Sequence, residues 1–251
     1  MIIHSESDEL GNPVGKIISH KLPAKSPGNE TLNGRLVRLE RLTADKHASE
    51  LFARLSPDAE GTAWTYMLNG PYENERDFTD WVKTAEESVD PHFYAIVDIQ
   101  TGSALGYCSY LRIDPKNGVI EVGNINYSVE LKRSAKATEA MYLLAKNAFK
   151  LGYRRYEWKC NALNAPSITA AERLGFSFEG VFRNAIVVKG RNRDTAWFAF
   201  TDEDWVGIRP AMETWLDESN FTESGEQVVG LRTLTAPSVH SRWPKLSIEV
   251  G

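Results

Sequence analysis

Apolar and polar positions change period several times along the chain, and those changes divide it into elements. Leu36–Leu42 alternates well enough for a strand, entered through Asn33-Gly34. Helical spacing follows over about Asp45–Leu55 and Glu75–Glu87, with the aromatic-rich loop Trp64-Thr65-Tyr66-Met67-Leu68-Asn69-Gly70-Pro71-Tyr72 between them. Strand-like runs return at Phe93–Asp98, Leu105–Ile113 and Val119–Ser128. Thr101-Gly102 and Lys116-Asn117-Gly118 separate them, and Asn-Gly favours a tight hairpin. An antiparallel meander is predicted.

Ala137, Met141, Leu144, Ala148 and Leu151 then step by threes and fours, which predicts an amphipathic helix over about Ala135–Lys150, stopped at Gly152. Tyr153–Cys160 reads as a strand with Tyr156, Trp158 and Cys160 on one face and Arg155, Glu157 and Lys159 on the other. A second helix spans about Pro166–Leu174, with Pro166 suited to its first turn and Gly175 to its end. Strands at Phe176–Val188 and Thr195–Thr201 follow, joined through Lys189-Gly190-Arg191-Asn192. Thr201-Asp202-Glu203-Asp204 has capping-box form ahead of a helix that reaches Leu216, with Pro210 expected to kink or restart it. The expected division is an N-terminal arm over 1–30, a main unit over 31–205, and a C-terminal helix and tail over 206–251. The fold class is α/β (α+β): a mixed, mostly antiparallel sheet flanked by helices.

Composition narrows the function by exclusion. Of 251 residues, 42% are hydrophobic and 25% charged, and 29 Lys and Arg against 34 Asp and Glu leave a formal charge of −5. A broad basic surface for nucleic acid is therefore not expected. No apolar run approaches the roughly 20 residues that cross a bilayer. Met1 to Leu10 lacks a basic region followed by an apolar stretch, so a cytoplasmic protein is expected. Cys108 and Cys160 are too few for a disulfide framework. His4, His20, His47, His92 and His240 show no metal-ligand spacing, so no metal is expected. Neither a nucleotide-binding glycine loop nor a Gly-x-Ser-x-Gly elbow occurs. Chemistry here points to a cosubstrate that carries the reactive group.

The informative segment runs Glu121-Val122-Gly123, then Tyr127-Ser128, then Leu131-Lys132-Arg133-Ser134-Ala135-Lys136-Ala137-Thr138-Glu139-Ala140. A strand passing through a basic, small-residue loop into a helix offers free backbone N–H groups and a helix dipole to a phosphate. An ordinary solvated helix start is the alternative. The segment resembles the pyrophosphate loop of the GNAT superfamily of N-acetyltransferases, Gln/Arg-x-x-Gly-x-Gly/Ala, and Thr138-Glu139-Ala140 resembles its ribosomal-protein-acetyltransferase-like branch. A second element, Asn164-x-x-Ser167 followed by Arg173-Leu174-Gly175-Phe176 and Glu179-Gly180, resembles another motif of the family. The resemblance covers about residues 32–205. Lys132 and Ala135 depart from the loop consensus, and Ala171 stands where many members carry a tyrosine acid.

The resemblance implies a GNAT fold and transfer of an acetyl group from acetyl-CoA to a primary amine by direct attack. The acceptor would be a small molecule, an amino acid or a protein N-terminus; the alternative is a non-catalytic acyl-CoA-binding module. No nucleic-acid or membrane partner is implied, and the chain would be a monomer or homodimer. Ser128, Lys132, Arg133, Ser134, Ala135, Lys136, Ala137, Thr138, Asn164, Ser167 and Arg173 would contact the cosubstrate. An alkylamine, with a pKa of about 10, must lose a proton before attack. Glu121 is the candidate base or a carboxylate paired across the sheet, and Tyr127 a candidate acid or a wall aromatic. These two share a face only if the strand is regular; a bulge reverses that. Trp64, Tyr66 and Tyr72 line an acceptor pocket or pack a core. Arg183, Arg191, Arg193 and Asp194 surround the last hairpin, either as solvated charge or in contact with substrate or a partner.

Overall fold

The computed structural model describes residues 5–56 and 62–244. Near the N-terminus β1 (Ser5–Ser7) and β2 (Pro13–Gly15) form a separate exposed ribbon, and β3 (Leu32–Asn33) and β4 (Val37–Arg41) start the main sheet. After β4 come α1 (Ala44–Leu55) and α2 (Glu75–Glu87), then the meander β5 (His92–Asp98), β6 (Ala104–Asp114) and β7 (Val119–Tyr127). The crossover helix α3 (Ala135–Lys150) leads to β8 (Arg155–Asn161), followed by α4 (Ala165–Arg173). The hairpin β9 (Ser177–Val188) and β10 (Arg191–Thr201) completes the sheet, and α5 (Asp202–Leu216) and the short α6 (Leu231–Thr235) follow. The eight strands lie in the order β3-β4-β5-β6-β7-β8-β10-β9, and β7–β8 is the parallel pair in an otherwise antiparallel sheet. This is the mixed sheet flanked by helices that the periodicity implies.

Each face of the sheet has its own core. Phe93, Ala95, Val97 and Tyr107 point toward α1 and α2, where they meet Leu51, Phe78 and Val82. Tyr94, Ile96, Tyr110, Ile120, Val122, Tyr156 and Trp158 point to the opposite face, against Met141, Leu144 and Ala148 of α3 and Ile208 and Met212 of α5. Alternation along each strand sorts side chains between the two layers.

Two local expectations change. Helix α5 runs unbroken through Pro210, which sits on an exposed position, so the carbonyl whose bond it removes faces water. The predicted capping box is present: Thr201 Oγ1 accepts from the Asp204 N–H, and Asp204 Oδ2 accepts from the Thr201 N–H at 2.8 Å. The stretch expected as a polar tail folds back onto the body as far as residue 244; residues 245–251 lie outside the described ones, as do residues 1–4 of the arm. Leu231 and Thr235 are fully buried, the Phe178 N–H donates to the Ser241 carbonyl, and Trp243 packs on Phe178. The arm is anchored too: Ala24 is buried, its N–H donates to the Pro115 carbonyl, and the Lys25 N–H donates to the Leu151 carbonyl.

Candidate active site

The central gap in the sheet comes from its parallel pair. Strands β7 and β8 are in register from Val119–Val122 against Arg155–Trp158 and then diverge. A bulge at Asn124, which has φ 50°, sends β7 away: Tyr107 pairs with Asn126 but Ser109 with Gly123. A cavity of about 2740 Å³ opens where the strands part, lined from both faces of the sheet. Glu121 and Lys159 enter it from the α1/α2 side, and Met141 and Trp158 from the α3 side.

At one end lies the start of α3. Ser134 is its N-cap, accepting from the Ala137 N–H at 3.2 Å and donating to the Leu131 carbonyl at 2.7 Å. The backbone N–H groups of Arg133, Ala135 and Lys136 have no acceptor among the described residues. Three unpartnered donors at a helix N-terminus suit an anion. The residue with positive φ in this turn is Arg133, at 58°, not Ala135, which is already helical; alanine in place of glycine is thus unstrained. Thr138 Oγ1 accepts from Arg173 Nη1 at 3.0 Å, which ties the end of α4 to the loop.

At the other end Glu121 lies beside Glu157, its register neighbour on β8. Two carboxylates side by side repel, and Lys159 Nζ is clamped between them, donating to Glu121 Oε2 at 2.8 Å and to Glu157 Oε2 at 2.6 Å. Arg112 stands 3.6 Å from Glu121, and Arg155 bonds Glu157 at 2.7 Å. Burial raises the Glu121 pKa above the usual carboxylate range against the opposing pull of Lys159. Glu157 is also pushed up by burial, but hydrogen bonds from Lys159 and Arg155 outweigh this and hold it low. The environment thus separates the two acids, as a proton-accepting role for one of them requires.

Glu121, Tyr127, Lys132, Arg133, Ser134, Ala135, Ala137 and Thr138 line this single cavity. Tyr66, Asn164, Ser167 and Arg173 line it as well. Because of the bulge, Tyr127 lies on the α3 face and Glu121 on the other, so the regular-strand parity does not hold. Burial lifts the Tyr127 pKa well above its ordinary value, so it stays protonated, and its hydroxyl has no partner among the described residues. Asn164 caps α4 by accepting from the Ser167 N–H at 3.2 Å, and Ser167 Oγ accepts from Trp158 Nε1 at 3.0 Å. Tyr66 donates from its hydroxyl to the Leu163 carbonyl at 3.0 Å, carrying the α1–α2 loop across the opening.

Four expected residues are not brought to the cavity. Lys136 turns its ammonium to Asp98, at 2.7 Å, on the far side of the helix start. Ser128 is buried inside the turn, where its hydroxyl accepts from the Leu131 N–H. Trp64 and Tyr72 pack edge to face at 5.6 Å within the α1/α2 core, with Gly70 against the indole.

Other lining residues were not expected. Lys159 had a signal in the charged stripe of its strand, Arg155-x-Glu157-x-Lys159, and is the member of that stripe that lines the cavity. Trp197 lies under its ammonium at 3.8 Å. Trp215, Phe221 and Gln227 come from the C-terminal stretch: Arg173 covers Trp215 at 4.7 Å, Phe221 meets it edge-on at 5.1 Å, and Gln227 accepts from its Nε1 at 2.8 Å. No sequence pattern links these aromatics to a loop so far away along the chain. Among the described residues, no group of three or more His, Cys, Asp or Glu is arranged to hold a metal, and no helix is long and apolar enough to cross a membrane.

Comparison with known proteins agrees with this architecture. Residues 37–177 match the family model described as an acetyltransferase (GNAT) domain. A GCN5-related N-acetyltransferase from Brucella melitensis is 42% identical, covers 87% of this chain and 100% of its own, and superposes with a TM-score of 0.85. A probable GNAT-family acetyltransferase from Chromobacterium violaceum is 37% identical over 78% of this chain and 98% of its own, with a TM-score of 0.73. The uncharacterized N-acetyltransferase p20 of Bacillus licheniformis is 28% identical over 67% of this chain and 97% of its own.

Proposed function

Because the chain belongs to the GNAT acetyltransferase family, we propose that it transfers an acetyl group from acetyl-CoA to a primary amine in a ternary complex. One observation carries this reading: a single cavity joins a helix start, where the lining residues Arg133 and Ala135 have unpartnered backbone N–H groups, to a buried carboxylate of raised pKa, through a gap in the sheet. Those donors fit a diphosphate, and the parted edge of β7 fits an extended arm. Bound acetyl-CoA would supply an acetyl group on a thiolate leaving group.

Arg133 and Ala135 would hold the diphosphate through their backbone N–H groups, with the Lys132 and Arg133 side chains adding charge. Arg173, Trp215 and Phe221 would border the adenosine end, and Asn164 and Ser167 the arm. Glu121 would take the proton that the acceptor ammonium must lose, directly or through water. Lys159 and Arg112 keep the Glu121 carboxylate oriented. Tyr127, protonated and unpartnered, supplies a donor on the side where Ala171, fully buried, offers none. The acceptor is a small molecule, an amino acid or a protein N-terminus.

Release of free thiol from acetyl-CoA with a panel of amines tests the reading. Turnover should fall about 100-fold in Glu121→Gln. A base must be unprotonated, so wild-type turnover should fall as pH drops through the raised Glu121 pKa, and the variant should lose that acid limb. Unchanged turnover in the variant rejects Glu121 as base. Tight acetyl-CoA binding without turnover of any amine would favour a binding module instead.

A further inference from the structure

Among the described residues Lys132, Arg133, Arg183 and Arg193 line the cavity without an ion pair, and of these four Arg193 alone has a polar side-chain atom closed to solvent. Around the acceptor side, Lys159, Arg112 and Arg155 are matched to Glu121, Glu157 and Glu179. Arg193, on β10, is matched to nothing: its guanidinium has no ion pair or hydrogen bond among the described residues, and its Nε is out of reach of solvent. Asp194 beside it is occupied at the hairpin, accepting from the Asn184 N–H at 2.8 Å and from Asn192 Nδ2 at 3.0 Å. Burial lowers the Arg193 pKa, partly offset by Cys160 and then by Glu121 nearby. Glu121, however, is already held by Lys159 at 2.8 Å. Buried charges in folded proteins are paired, and an unpaired guanidinium on a cavity wall is a fork awaiting an anion.

We infer that the acceptor is an amine that also bears a carboxylate, an amino-acid-class molecule, whose carboxylate is bound by Arg193 while its amine faces Glu121. This rests on the transferase reading above and selects among its acceptors. A protein N-terminus has lost its α-carboxylate to the peptide bond and leaves Arg193 unpaired. A simple alkylamine does the same.

The experiment compares each free amino acid with its carboxamide, which preserves size and amine but removes the charge. Wild-type kcat/KM should favour the acid by about 10- to 100-fold, the weight of a hydrogen bond to a charged group. Arg193→Gln should erase that preference through acceptor KM while acetyl-CoA KM stays within about twofold, and Arg193→Lys should restore part of it. Equal or better use of carboxamides or peptides by the wild type overturns the inference, as does an Arg193→Gln defect confined to acetyl-CoA. If no amine releases thiol, the transferase reading fails on its own, and calorimetry still decides the anion site. N-acetyl amino acids should then bind the wild type and not Arg193→Gln, while N-acetyl amino-acid amides bind neither; absence of that difference overturns the site.

Discussion

Glu139 gives the sharpest test of how helix α3 is held. Its carboxylate is buried, 5% exposed, and accepts three consecutive backbone N–H groups: Arg35 at 2.9 Å on Oε1, and Leu36 at 2.6 Å and Val37 at 2.8 Å on Oε2. These are the donors of the turn between β3 and β4, and Glu139 is on the second turn of α3. A hydrogen bond to a charged acceptor contributes about 1.5 kcal/mol or more, so three give at least about 4 kcal/mol, a large share of the roughly 5–15 kcal/mol that holds a domain folded. Glu139→Ala should therefore lower stability by about 4 kcal/mol. Glu139→Gln should recover little, because either orientation of the amide points an NH₂ at an N–H donor. Urea unfolding followed by tryptophan fluorescence reads the loss as a lower midpoint at unchanged slope. A loss under about 1 kcal/mol in the alanine variant would refute the assignment of these bonds as the anchor of the turn. Gly34→Ala should be destabilising by the same route, since a Cβ there would come within 2.5 Å of Glu139 Oε2.

His92, buried on β5, has its pKa pushed down from 6.5 to about 4, first by burial and then by Arg41. The unfolded chain therefore takes up this proton before the folded one does, and stability should fall as pH drops from 6.5 toward 4, by about 3 kcal/mol in all; His92→Gln should flatten that part of a pH series of denaturation curves. Phe221→Ala should raise KM for acetyl-CoA several-fold but leave acetyl-pantetheine unaffected, which separates an adenosine wall from general damage. Arg133→Gly should relieve a left-handed residue worth about 1 kcal/mol and so raise the unfolding midpoint, while calorimetry shows weaker acetyl-CoA binding from the lost charge.

The meander, the crossover helix and the basic loop that opens it are legible in the sequence because each rests on local signals. Periodicity gives α3, Ser134 and Asn164 cap their helices, and Thr201 with Asp204 closes a box. What was not legible depends on distant partners. Nothing near Lys136 says that Asp98 will take its ammonium, nor that Trp64 and Tyr72 will turn into the core while Tyr66 reaches Leu163. The bulge at Asn124, one residue after Gly123, reverses the parity between Glu121 and Tyr127. Arg155, Glu157 and Lys159 read only as one face of their strand, because sequence cannot show that the neighbouring strand brings Glu121 alongside.

The divergence of β7 from β8 divides the sheet mechanically. Five strands lie on one side of the seam and three on the other, joined through the ladder at Val119–Val122 and Arg155–Trp158. The plates are also strapped by α3, and by the α1–α2 loop where Tyr66 and the Trp64 carbonyl reach Leu163 and Lys189. Such a join is a weak line under shear, and an extended molecule seated along it acts as a missing strand that welds the halves. Occupancy of the gap and stiffness of the whole sheet are therefore one property, and a ligand that fills the seam protects backbone amides on both plates together.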